Sequence, residues 1–339
     1  MTMKQYIEKC LSGAGLTADE ASDALDLIMT GQATDVQVAG LLIALRAKGE
    51  TVEELVGFAK TMRAKAIRLQ LDDPDAIDMC GTGGDGHGTF NISTVATFVA
   101  AGAGVTVAKH GNRSVSSRSG SADLLAALGV NIQISPEQVQ ECVNRVGVGF
   151  LFAPLFHPAM KFVSKSRGEL GVRTVFNMLG PITNPAGVRR QLVGTYRRDV
   201  ASIIASALGR LATTRACVVH SEDGLDEVSA SGETSVFETG TDGTVRSYAV
   251  SPDSFGLQQQ PASSMAGGDA RENATIALTI LKGDHVPGRH VVVANAALGI
   301  FIAGKVTNLL EATSAAIESI DSGRALASLN KLIDFTSRP

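Results

Sequence analysis

Between Lys4 and Ala66 apolar residues recur three and four positions apart, as in Val38, Leu41, Leu42 and Leu45, and Gly13, Gly31 and Gly49 interrupt the pattern. That period is helical and predicts four helices with no strand. Thr17 with Glu20, and Thr51 with Glu54, have the Thr-x-x-Glu form of a capping box and mark two of the helix starts. A polar stretch, Leu71 to Pro74, follows, and from Ala76 the period changes. Short apolar runs at 76–79, 104–108, 130–134, 148–152, 191–195 and 215–220 read as strands. Helical stretches lie between them at 92–102, 121–128, 136–146, 157–166 and 200–211. Alternation of this kind specifies a mainly parallel sheet flanked by helices. Residues 233–250 alternate as an antiparallel pair around Thr241-Asp242-Gly243, and helices return at 269–281, 288–303, 311–322 and 324–334. The predicted organisation is a small helical domain at 1–68 followed by an α/β domain at 69–339.

Composition narrows the function classes. With 30 Lys+Arg against 34 Asp+Glu the chain lacks the bias of a nucleic-acid-binding polycation. Its most apolar stretch, Val291 to Gly304, is shorter than the roughly 20 residues of a membrane span and contains Asn295. Neither nucleic acid nor membrane is an expected partner. Lys4, Glu8 and Lys9 occupy the opening residues with no apolar run after them, so the expected compartment is the cytoplasm. Cysteines at 10, 80, 142 and 217 are too dispersed for a zinc site or a disulfide framework.

Chemistry concentrates after the predicted strands. The first strand runs into Gly81-Thr82-Gly83-Gly84-Asp85-Gly86, followed by Asn91 as a predicted N-cap and by Ser93 and Thr94 in the first helical turn. Free N–H groups at a helix start attract an anion, although a plain glycine-rich turn would need none. A dinucleotide fold would place an acid at the end of the next strand, where this chain has Lys109. That strand leads into a second anion-binding element, 109–123, with Lys109, Arg113, Arg118 and several serines but no carboxylate before Asp123. A solvated basic loop is the alternative. The strand ending at His220 leads into Ser221 to Glu227, whose adjacent Asp226 and Glu227 could hold Mg2+ together with substrate phosphates. His157, Arg167 and Arg173 surround one helix, and Gly180 to Pro185 reads as a rigid, non-helical segment; residue chemistry alone gives none of these a role.

Four motifs in this order, GTGGDGHGTFNIST at 81–94, KHGNRSVSSRSGSAD at 109–123, RTVFNMLGPITNP at 173–185 and DGLDE at 223–227, resemble those of the anthranilate phosphoribosyltransferase family over nearly the whole chain. The resemblance implies the α/β fold shared with nucleoside phosphorylases, a homodimer, and a small domain, completed near 173–185, that closes over the larger one. It implies transfer of the phosphoribosyl group of phosphoribosyl pyrophosphate (PRPP) to the amine of anthranilate, in tryptophan biosynthesis. PRPP contacts are implied at Gly81, Gly84, Asp85, Thr89, Asn91, Ile92, Ser93 and Thr94. They are implied also at Lys109, His110, Gly111, Asn112, Arg113, Ser114, Val115, Ser116, Ser117 and Ser121. Gly81, Asn112 and Arg167 are the implied anthranilate contacts, and Ser93, Asp226 and Glu227 the implied Mg2+ ligands. No covalent nucleophile is expected, and His110 or His157 is a candidate acceptor for the amine proton. A phosphorylase of the same fold would use inorganic phosphate and have no need of the DGLDE carboxylates.

Overall fold

Four helices form the N-terminal bundle: α1 (Met3–Leu11), α2 (Ala18–Met29), α3 (Asp35–Lys48) and α4 (Val52–Lys65). Both predicted capping boxes are present, and Thr2 with Gln5 and Thr34 with Gln37 form two more, so each helix of the bundle starts on a threonine. These details come from a computed structural model that describes residues 1–114 and 118–337.

The α/β part follows as β1 (Ile77–Gly81), α5 (Ile92–Gly102), β2 (Val107–Gly111), α6 (Ser121–Ala127), α7 (Pro136–Val146), β3 (Val148–Phe152), α8 (Ala153–Phe156), α9 (Lys161–Leu170), α10 (Val175–Ile182), β4 (Arg190–Gly194), α11 (Arg198–Gly209) and β5 (Arg215–Ser221). It ends with β6 (Thr234–Gly240), β7 (Val245–Val250), α12 (Ala270–Leu281), α13 (Arg289–Ile302), α14 (Leu309–Asp321) and α15 (Arg324–Thr336). The sheet runs β3-β2-β1-β4-β5-β6-β7; β3 through β5 are parallel, and β6 and β7 add an antiparallel edge. Two large cores flank it. One holds α5, α13 and the C-terminal helices, and the other joins Val193, Val218 and Phe237 of the sheet to the N-terminal bundle. A shared apolar core of that size ties the small domain to one face of the large one. No described helix is long and apolar enough to cross a membrane.

Three expectations are corrected. Residues 130–134 form no strand: Val130, Ile132 and Ile134 are buried, but the Asn131 N–H donates to the Thr336 hydroxyl at 3.2 Å, and the segment only links α6 to α7. Gly180, Pro181 and Ile182 are helical, forming the last turn of α10, although Pro181 has no N–H to return to Asn177 O; irregular backbone starts at Thr183. The second strand sits at 107–111, three residues later than expected, because Gly104 at φ +87° still belongs to the turn after α5.

Candidate active site

The carboxyl ends of β1, β2, β4 and β5 bring the glycine, basic and acidic loops to one edge of the sheet, where open α/β folds bind ligands. After Gly81 the chain crosses the glycine loop and is pinned at 88–90, where Phe90 N–H donates to Met265 O and Gly267 N–H to Gly88 O; Thr89 lies in this bridge, opposite Ala266. Helix α5 then starts, with Ile92 and Thr94 buried against the core. Asn91 does not cap it. Its side chain instead donates to Ser119 O at 3.0 Å and accepts from the Asn273 amide at 3.1 Å, joining the glycine loop to the end of the basic loop. The anion at the helix start is Glu227, whose Oε1 accepts the Ser93 N–H at 3.0 Å.

Lys109 is buried within β2, with its ammonium 2.5 Å from Met79 O and 3.4 Å from the Ser93 hydroxyl. His110 and Gly111 finish the strand. A side chain at Gly111 would collide with the Ser121 hydroxyl, at 2.2 Å, and with the Phe150 ring. Asn112 O accepts the Ala122 N–H, and Asp123 gathers the N–H groups of Ser114 and Gly120 and the guanidinium of Arg113. Partial burial opposes the charge on Asp123, but these donors outweigh it and hold the carboxyl below its usual range. Arg113 thus braces the loop, lying also over the Phe152 ring at 5.9 Å, while Arg118 reaches Glu272. Val115, Ser116 and Ser117 lie outside the described residues.

The acidic loop passes directly over the paired strand ends Gly81 and Gly194. A Cβ on Gly194 would stand 1.6 Å from the main-chain Asp226 O, so only glycine admits the loop there, and one on Gly81 would displace the Asp226 carboxylate, 2.5 Å away at Oδ2. Asp226 Oδ2 accepts the Gly83 N–H at 2.7 Å. Asp223 accepts hydroxyls from Ser221, Ser229 and Ser231, and the Asn295 side chain of α13 takes both main-chain groups of Val228. Burial, then neighbouring Asp85, pushes the Asp226 carboxyl upward; burial and then Asp226 do the same to Glu227. Among the described residues, Asp85 Oδ2 is buried with no hydrogen-bond partner. Crowded carboxylates of this kind fit a divalent cation. Mg2+ is a cation of this kind, taking one or two carboxylates and completing its shell with phosphates and water.

Arg167 projects from α9, half-buried, with its guanidinium 5.2 Å from the Phe176 ring centre. Burial lowers its pKa, and among the described residues it has no carboxylate partner. Arg173 lies over Tyr196 at 3.7 Å, donates to Gly84 O, and receives on its own carbonyl the Arg46 guanidinium of α3 at 2.7 Å. His110 and His157 are buried, 5.3 Å apart between ring centres. Burial, then His157, drives the His110 pKa down to about 3, and burial drives that of His157 down to about 4. The glycine and acidic loops are therefore in direct contact, through Gly83 with Asp226 and Ser93 with Glu227, while His110 pairs with His157 and Arg167 lies against Phe176. Sequence reasoning missed the supports Asp78, Asn184, Asn273 and Asn295. Their one signal was polar character inside otherwise apolar or glycine-rich segments.

Comparison with known proteins agrees with this architecture. Residues 4–66 match the "Glycosyl transferase family, helical bundle domain", and residues 73–326 the "Glycosyl transferase family, a/b domain". An anthranilate phosphoribosyltransferase of Pelotomaculum thermopropionicum is 52% identical, with 98% of this chain and 96% of the relative aligned; one from Rhodopseudomonas palustris is 51% identical over 97% of each. A crystal structure of the Thermus thermophilus enzyme superposes with a TM-score of 0.92 at 42% identity, covering 98% of this chain and 99% of that one. The Saccharomyces cerevisiae enzyme in complex with PRPP and Mg gives 0.90 at 32% identity, covering 99% and 98%. With both domains matched in order and nearly every residue aligned, the chain belongs to the anthranilate phosphoribosyltransferase family.

Proposed function

We propose that the cleft at the carboxyl edge of the sheet holds PRPP between the glycine loop and the basic loop, with Asp226, Glu227 and the Ser93 hydroxyl holding Mg2+ against its phosphates. The chain transfers the phosphoribosyl group to the amine of anthranilate, the reaction of its family in tryptophan biosynthesis. One observation supports the site assignment above others: both carboxylates dock on N–H groups of the phosphate-binding segment, Gly83 and Ser93. Metal and phosphates thus share one set of neighbours.

As the C1–O bond of PRPP breaks, negative charge grows on the departing pyrophosphate. Lys109, buried beside the Ser93 hydroxyl, opposes that charge from a fixed position. Mg2+, when bound, supplies further neutralisation of the leaving group. The amine of anthranilate attacks C1 through its neutral lone pair, so no protein nucleophile takes part. Asn112 and Gly81 border the acceptor, and Arg167 holds its carboxylate by charge-assisted hydrogen bonds. Positioning the two substrates in line is the main task of the protein.

Residues 1–68 act as the small domain and 69–339 as the large one, with the segment 173–185 completing the small domain. Homodimer formation is supported by exposed apolar side chains on neighbouring α1, α3 and α9: Leu11, Val36, Ile43 and Phe162. A cytoplasmic location accords with the four free thiols. The chain has no Trp, so anthranilate fluorescence can be followed directly. Its decay should require PRPP and Mg2+ together and should match released pyrophosphate one to one. Decay without pyrophosphate release, or none from folded protein, would reject this reading.

A further inference from the structure

The chain leading into α12 lies flat on the end of the glycine loop. Gly267 N–H donates to Gly88 O at 2.9 Å and Phe90 N–H to Met265 O at 3.2 Å, and a Cβ on Gly267 would stand 2.3 Å from Phe90 N. Only glycine admits so close an approach of two backbones. Asp269 then caps α12, whose Ala274, Ala277, Ile280 and Leu281 join the apolar core that holds α5 and α13. The helix also packs on α6, which follows the basic loop. A firmly anchored element therefore stands beside both phosphate loops.

Asn273, the fourth residue of α12, is 1% exposed, and its amide can take only one orientation. The main-chain N–H of Gly268 can only donate, so the atom it reaches at 2.7 Å is Oδ1 of Asn273. Nδ2 then faces Asn91, whose Oδ1 accepts from it at 3.1 Å. With its own oxygen placed in this way, Asn91 turns Nδ2 to Ser119 O at 3.0 Å, and its Oδ1 also takes the Ser119 hydroxyl at 3.1 Å. The amides thus form a relay that runs in one direction, from Gly268 through Asn273 and Asn91 to Ser119. Ser119 is buried at the end of the basic loop, next to Gly120, whose N–H is held by Asp123 at 3.0 Å. Asn91 is the last residue before α5. One relay, begun on α12, fixes the ends of both loops.

We propose that Asn273 is a positioning residue for PRPP: its Nδ2 orients Asn91 so that a single amide holds the glycine loop and the basic loop at the separation the phosphates of PRPP require. This rests on the PRPP assignment above and adds the residue, outside either loop, that sets their spacing. An Asn273 serving only to anchor the chain before α12 would need its Oδ1 alone.

Asn273→Asp separates the two roles, because a carboxylate keeps an acceptor for Gly268 N–H but sets an oxygen against Asn91 Oδ1. Hydrogen exchange of the ligand-free variant, followed by mass spectrometry, should quicken at 88–94 and 118–124 and stay unchanged at 265–269. Calorimetry with Mg2+ should show PRPP binding weakened about fivefold to tenfold, the scale of one hydrogen bond, while the KM for anthranilate stays within about twofold. Asn273→Ala, which removes the amide without burying a charge, should weaken PRPP binding to a similar extent and serves if the first variant does not fold. In an Asn91→Ala background the relay is already cut, so adding either substitution should change PRPP affinity by less than about twofold. Unchanged loop exchange, PRPP affinity equal to that of the unsubstituted protein in a folded variant, or independent losses in the double variant would overturn the proposal. The exchange needs no substrate and so separates the failures: quickened loops in a protein that never binds PRPP would reject the PRPP assignment and this role with it, whereas unchanged loops would reject the relay alone.

Discussion

At the scale of single residues, the account depends on groups that are costly without a ligand. Arg167 keeps a half-buried charge with only the Phe176 ring beside it among the described residues. Arg167→Ala should weaken anthranilate binding by about 1.5–3 kcal/mol, the scale of a hydrogen bond to a charged group, and leave PRPP binding unchanged. A fluorescence titration checks it, and an unaltered anthranilate affinity would remove Arg167 from the site. Gly194 makes a second case. Its missing side chain is what lets Asp226 O pass, so Gly194→Ala should lift the acidic loop off the sheet and cut Mg2+-dependent PRPP binding by at least about tenfold, more than 1.4 kcal/mol. Measured by calorimetry, equal binding in a folded variant would refute that packing. The carboxylates and phosphate loops were legible in the sequence because they are clustered in short motifs. Asn273 and Asn295 were not, since their partners are chosen by the tertiary fold: Asn273 meets Asn91 from 182 positions away.

At the scale of elements, apolar periodicity found every strand of the sheet but also suggested one at 130–134, where burial comes without a partner strand. Periodicity reports which side is buried, not what the backbone pairs with. The same rule stopped β1 and β2 short. Both strands run on through the loop-like residues Cys80-Gly81 and Lys109-His110-Gly111, because the ends of these strands form the site. α10 was hidden by Gly180 and Pro181, residues that disfavour helix yet form its last turn. Its end is held by Arg63 of α4, which donates to Ile182 O at 2.9 Å and to Leu211 O at 3.2 Å; burial, then Arg68, lowers its pKa to about 10. Arg63→Leu strands two carbonyls and should cost about 2–6 kcal/mol of unfolding free energy, at roughly 1–3 for each group left unpaired. Urea denaturation tests this; a loss under about 0.5 kcal/mol, the scale of an ordinary surface substitution, would mean that water replaces the guanidinium freely.

At the scale of the whole molecule, stability should depend on the two buried histidines. Their folded pKa values of about 3 and 4 lie below the ordinary 6.5. Below pH 6.5 the unfolded chain takes up protons that the native rings refuse, so this stabilisation is complete above pH 6.5 and is lost as pH falls toward about 4 for His157 and about 3 for His110. The slope is up to about 1.4 kcal/mol per pH unit for each ring. His157→Gln should flatten the decline between pH 6.5 and 5 by about half of that paired contribution; an identical slope would show the ring already charged in the native state. The domains also communicate through Arg173, bound to Arg46 of the bundle on one side and to Gly84 of the glycine loop on the other. The two-domain α/β plan was readable from the change of period near residue 70, but contacts such as these, spanning 127 and 89 positions, were not. The central claim is that Asp226 and Glu227 bind PRPP through a shared Mg2+. Calorimetric titration of PRPP, with and without Mg2+, into the unsubstituted protein and into Asp226→Asn/Glu227→Gln tests it most directly. The account predicts affinity that rises with Mg2+ in the first protein and ignores it in the second; equal Mg2+-dependent binding in both would contradict it.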